Sequence, residues 1–165
     1  DIVKEYGTDA LRYYVARELS TFEDSDVTME KFKESYNANL ANGIGNLTSR
    51  IMKMAQDNLD APVAITEPEN MSEYFALYDT YEINKAGDYI WDEIKALDQY
   101  IQENQPFKLV KTDKEAGQNM ISQLVVRLYR VACIPSPFLP ETSEKIKTLI
   151  SNNKTPEVPL FVRKD

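Results

Sequence analysis

The 165-residue chain is 42% hydrophobic and 28% charged, the balance of a soluble globular protein and too apolar for a disordered one. It contains no histidine, which removes the usual general base, the Ser-His and Cys-His nucleophile pairs and the commonest zinc ligand. A net charge of -8 excludes a protein that holds nucleic acid through a broad basic surface, so any RNA binding must be local.

The N-terminus, Asp1-Ile2-Val3-Lys4-Glu5-Tyr6, lacks the basic start and apolar stretch of a signal peptide, and no apolar run approaches the ~20 residues of a membrane span, so a cytoplasmic location is expected. A first helix is predicted from about Thr8 to Leu19, with Leu11, Tyr14, Val15 and Leu19 on one side, ended by the acidic stretch Ser20 to Asp26. The second is the clearest, from about Thr28 to Leu59, carrying Phe32, Tyr36, Leu40, Ile44, Leu47, Ile51 and Met54 at successive steps of four or three. Pro62 and Pro68 bracket a connector, and Asn70 and Glu73 have capping-box spacing before a third helix that reaches about Asn104. Its buried side takes Tyr74, Tyr78, Tyr81, Ile90, Ile94, Leu97 and Ile101, while periodicity leaves open whether Trp91 packs inside or lies at the edge.

Pro106 suits the first position of a short helix through Val110, which sets Phe107 at a corner between helices. Thr112-Asp113-Lys114-Glu115 has capping-box spacing and opens a fourth helix with Ala116, Met120, Leu124, Leu128 and Val131 inward. Cys133, the single cysteine, reads as a buried structural thiol near its end, which Pro135 and Pro137 enforce. A last helix follows Pro140 with Ile146, Leu149 and Ile150, and the tail from Pro156 to Asp165 is expected to be extended. The fold class is all-α, an antiparallel bundle of about five helices.

Gly43-Ile44-Gly45 is no nucleotide loop, since Thr48 stands where the third glycine of the fingerprint belongs and no strand precedes it; small residues there instead admit a close neighbour. At roughly 100° per residue, Asn39, Asn42, Asn46, Arg50 and Lys53 form a stripe about 80° wide beside the apolar one. Asparagine is a poor helix former, so three of them ending in Arg and Lys suggest directional hydrogen bonding, either to a ligand or between packed helices. Phe107 either plugs the core or, if exposed, offers a stacking platform for a base, with Lys108 and Lys111 near enough to meet phosphates.

Asp9-Ala10-Leu11-Arg12-Tyr13-Tyr14 followed by Ala16-Arg17-Glu18 resembles the segment that follows the KMSKS loop in class I aminoacyl-tRNA synthetases. Tyr36-Asn37-Ala38-Asn39-Leu40-Ala41-Asn42-Gly43-Ile44-Gly45-Asn46-Leu47-Thr48-Ser49-Arg50 resembles methionyl-tRNA synthetases in particular, and Pro106 to Lys111, Leu139 to Ser143 and Pro159 to Phe161 extend the likeness over nearly the whole chain. The resemblance implies a linking segment at residues 1–27 and an anticodon-binding bundle at 28–165. That bundle would bind the anticodon arm of tRNA(Met) and read CAU.

Family positions that touch anticodon bases match Asn46 and Arg50, and a stacking tryptophan matches Phe107 after the proline matched by Pro106; Asn42 and Lys53 lie on the same stripe. Val162 stands where the family usually has proline. The family's ATP- and Mg-dependent joining of methionine to tRNA belongs to a Rossmann domain with HIGH and KMSKS motifs, neither of which is in this chain. No catalytic, metal or cofactor residue is therefore expected here, and the expected partners are tRNA(Met) and that catalytic domain, with no membrane and no DNA. A helical module that binds another protein through the asparagine stripe and Phe107 is the alternative.

Overall fold

A computed structural model describes residues 2–19, 26–66, 76, 78–79 and 83–165. The described residues form helices and connecting turns with no strand, arranged as an antiparallel bundle as the periodicity predicted. A short helix α1 (Ile2–Tyr6) leads into α2 (Thr8–Tyr13), whose last turns widen into a π-helical stretch, Tyr14–Glu18. The long second element is α3 (Met29–Ser35), a second π-helical stretch (Tyr36–Gly45) with a break at Gly43, and α4 (Asn46–Asn58). Then follow α5 (Ile83–Asn104), α6 (Pro106–Thr112), α7 (Lys114–Cys133) and α8 (Pro140–Asn152).

The apolar stripe of the long element behaves as its spacing demands: Phe32, Tyr36, Leu40, Ile44, Leu47 and Ile51 are all buried. Met54 departs from it and is only half-buried, while Met52 and Ala55 turn inward. The reason is that α4 lies centrally against α5, α7 and α8, which widens its buried face beyond one stripe. Ile90, Ile94, Leu97 and Ile101 of α5 face the core, and so does Trp91, whose burial settles the choice that periodicity left open. In the first helix Val15 is exposed and the buried residues are Asp9, Ala10, Tyr13 and Tyr14, two i, i+4 pairs on a face one step round from Leu11 and Val15. Leu11, Val15 and Leu19 line an open apolar hollow of 760 Å³ with Phe138. Cys133 is half-buried.

The cap of α7 is Asp113, whose carboxylate accepts the Ala116 N–H at 3.0 Å, and not Thr112, whose hydroxyl donates to the Leu109 carbonyl at 3.1 Å and closes α6. Asp is as good an N-cap as Thr, and one residue of register decides between them. The expected cap at Asn70 and Glu73, the inward tyrosines Tyr74 and Tyr81, Pro68 and most of the acidic loop lie outside the described residues.

Two long-range ties join the ends of the chain to the bundle. Asp9, buried, accepts both the backbone N–H and the hydroxyl of Thr142 at 2.7 Å, capping α8 from a different helix. The tail is non-helical, as Pro156 and Pro159 predicted: Phe161 is buried, the Tyr36 hydroxyl donates to the Val162 carbonyl at 3.0 Å, and the Asn37 amide exchanges two hydrogen bonds with the Lys164 backbone. No helix among the described residues is long and apolar enough to cross a membrane.

Candidate nucleic-acid interface

The corner before α6 is built by two backbone devices. Gln105 ends α5 in the left-handed region at φ 45°, with its N–H bonded to the Ile101 carbonyl at 3.0 Å, and its own carbonyl accepts the N–H groups of Lys108 and Leu109. Pro106 then occupies the first turn of α6, where its missing N–H costs nothing, and is itself buried. The chain direction so imposed leaves Phe107 42% exposed, so it is not a plug of the core. Underneath, α6 is pressed onto α7 at Gly117, where a Cβ would lie 2.4 Å from the Val110 Cα. That contact fixes how far α6, and Phe107 with it, stands from the bundle.

Across from Phe107, α4 contributes Arg50 and Lys53. Together with Ser49, Met54, Ile101 and Thr155 they line an open cleft of 450 Å³. Residues 50 and 107, far apart in sequence, thus line one cleft, which brings an aromatic ring and two cations together. Arg50 is 35% exposed, and its Nη1 donates to the Asp98 carboxylate of α5, whose other oxygen accepts from the Gln102 amide at 2.5 Å. Only one nitrogen of the guanidinium is engaged in this pair, so it is oriented while Nε and Nη2 keep donors available for a ligand. Lys53 pairs with Asp57 at 3.0 Å, an exposed i,i+4 contact of little energy that a phosphate could displace.

The remaining expected residues fall around this cleft rather than in it. Asn46 is exposed on the first turn of α4, and its side chain has no hydrogen bond among the described residues. Asn42 lines an adjoining groove of 290 Å³ between the long element and α5, with Asn39, Trp91, Asp98 and Gln102 among its walls. The Arg50–Asp98 pair stands where groove and cleft meet. Lys108 and Lys111 are exposed on α6 and pair with no described carboxylate.

Sequence reasoning passed over Asp98 and Gln102, which carry no local signal because their partner is on another helix. It also passed over Asn37, whose amide serves the tail and not the open face. Of the asparagine stripe, then, Asn39 lies partly against its neighbours, and Asn42 and Asn46 face solvent.

Residues 54–159 match the family model described as the anticodon binding domain of methionyl tRNA ligase. The chain belongs to that family. Residues 1–52 match a second model, tRNA synthetases class I (M). Among curated relatives, the methionine–tRNA ligase of Clostridium acetobutylicum is 34% identical over 91% of this chain and 26% of its own length. That of Thermotoga maritima is 29% identical over 93% and 27%, and that of Bacillus subtilis 30% over 88% and 24%. The chain therefore spans about a quarter of the length of these relatives. The fold is that of the apo methionyl-tRNA synthetase of Mycobacterium tuberculosis, with a TM-score of 0.81 at 23% identity, covering 99% of this chain and 40% of that one.

Proposed function

We propose that this domain binds the anticodon arm of tRNA(Met) and reads CAU, as the recognition module of an ATP- and Mg-dependent methionine–tRNA ligase acting in the cytoplasm. Residues 1–27 serve in this reading as the link toward the catalytic part of that enzyme. The observation that carries the proposal is the cleft that the exposed Phe107 lines together with Arg50 and Lys53. A splayed-out base stacks on the phenyl face, and the unengaged donors of Arg50 meet the O2 and N3 acceptors of cytosine, which adenine and guanine do not present in that arrangement. Asn46, on the next turn, offers an amide that both donates and accepts on a base edge. Lys108, Lys111 and Lys53 supply the few cations available for phosphates on an otherwise acidic domain. Pro106 acts through the direction it gives Phe107.

The test is discrimination. Labelled anticodon stem-loops carrying CAU or an altered first base are titrated with the domain and with Arg50→Ala. The variant is expected to lose about tenfold for CAU and much less for the altered loop, as befits the loss of a charged hydrogen bond to a base edge. Equal loss for both loops would make Arg50 a phosphate or structural contact and remove the base-reading role.

A further inference from the structure

Winding with i→i+5 hydrogen bonds is rare in proteins and occurs mostly as single turns, many of them at functional sites. Here it runs through the ten residues Tyr36–Gly45, which include the break at Gly43. Wider turns place more residues in each revolution, so α4 leaves this stretch at a phase that an uninterrupted α-helix would not give. Asn39 and Asn42 line the groove beside α5, and Arg50 and Lys53 line the adjoining cleft beside Phe107. Since ordinary α-helix is the lower-energy winding, something outside the helix must hold this one.

Trp91 is placed to do so. Its indole Nε1 donates to the Asn39 carbonyl at 3.3 Å and lies 3.7 Å from where a Cβ on Gly43 would stand, so it touches both the wide turns and the break. The side chain is 2% exposed, and a buried indole N–H left without an acceptor would be costly, which ties Trp91 to this one register. Its own orientation is set from the N-terminal side. The Arg17 guanidinium lies 5.0 Å from its ring and the Tyr13 ring 4.6 Å, and Arg17 is in turn bonded to Tyr13, Glu18 and Asp88 at 2.8, 3.0 and 3.2 Å.

We propose that Trp91 is a positioning residue for the RNA-reading face: by bonding the Asn39 carbonyl and packing against Gly43, it holds the wide-wound, kinked backbone that aims Asn42, Asn46 and Arg50, and it links that aim to the seating of Arg17. The inference rests on the anticodon-reading proposal above. It gives the first helix a physical connection to the reading face through one side chain.

Two variants separate aim from mere stability. Trp91→Phe keeps a ring for Arg17 and Tyr13 and removes the N–H. Gly43→Ala has room for its methyl, whose nearest neighbours would be at 3.6 and 3.7 Å, and it favours regular α-helix. Each is titrated with CAU and altered stem-loops, with helicity, melting temperature and amide hydrogen exchange recorded alongside. Both variants are expected to keep their helicity and to lose about tenfold for CAU, with little change for the altered loop. Gly43→Ala is expected to stay folded at room temperature, and Trp91→Phe to lose exchange protection at residues 40–46 but not in α7. A purely structural role would weaken the CAU and altered loops alike. If Gly43→Ala and Trp91→Phe bind CAU within twofold of the unmodified domain while Arg50→Ala and Phe107→Ala bind weakly, the inference is wrong and the anticodon reading stands. If all four bind normally, the anticodon reading itself is wrong. Should Trp91→Phe fail to fold, Gly43→Ala decides alone.

Discussion

Replacing Phe107 with alanine removes a large, partly exposed aromatic side chain from the cleft beside Arg50. A base stacked on such a side chain is worth ~1–3 kcal/mol, which is roughly a five- to 150-fold change in Kd for a CAU stem-loop. The same substitution should cost the fold little. With 42% of the residue already in water, only part of its area is withdrawn from the core, and the loss of burial comes to about 1–2 kcal/mol. In a domain of this size that lowers Tm by about 3–6 °C and leaves the protein folded at room temperature. Anisotropy titrations with a labelled stem-loop and a thermal melt of the same samples measure both quantities. Phe107→Trp supplies the complementary arm: it enlarges the π face at the same corner and should bind at least as tightly as the unmodified protein. The reasoning is refuted if Phe107→Ala binds CAU within twofold of the original, or if it weakens binding only where it has also unfolded the domain.

Gly117→Ala should destabilise by ~1–3 kcal/mol, because its methyl would meet the Val110 backbone at 2.4 Å and no rotamer change can relieve a clash with main chain. The shift passes through α6 to Phe107, so stem-loop affinity should fall with it; a melt equal to that of the unmodified protein would contradict the packing. Burial, together with the hydrogen bond to Glu18, pushes the Tyr13 phenol well above its ordinary range, and burial pushes Tyr36 the same way. The unfolded chain releases these protons near pH ~10 while the folded one still holds them, so their stabilising contribution is complete below that pH and declines as pH rises toward the folded values. Urea midpoints should therefore fall between about pH 9 and 11, and less steeply in Tyr13→Phe; a flat profile in the unmodified protein would remove this account.

The parts of the fold that were legible in the sequence are those governed by one helix at a time. Phe32 to Ile51 announced a buried stripe because each step of three or four lands on the same side whatever the neighbours are. Pro106 announced a helix start because a missing N–H is harmless there. Where two helices decide together, the sequence was silent. Trp91 could have been inside or at the rim, and only the Asn39 carbonyl on another helix shows why it is inside. The wide turns at Tyr36–Gly45 have no periodic mark of their own, since a ten-residue stretch still places apolar residues four apart. The same holds for the site. The stripe brought Asn46, Arg50 and Lys53 into view, but the contacts of Arg50 with Asp98, of Asn37 with Lys164 and of Asp9 with Thr142 span 48, 127 and 133 residues and leave no local trace.

The most direct measurement of anticodon recognition is an NMR titration of the domain with the CAU stem-loop. Chemical-shift changes should centre on Asn42, Asn46, Arg50 and Phe107, with smaller ones at Lys53, Lys108 and Lys111, and a stem-loop altered at its first anticodon base should leave the signals of Arg50 and Phe107 nearly unmoved. Changes confined to lysines and equal for both loops would contradict base reading. Changes centred on the apolar hollow at Leu11, Val15 and Phe138 would place the RNA on another face altogether.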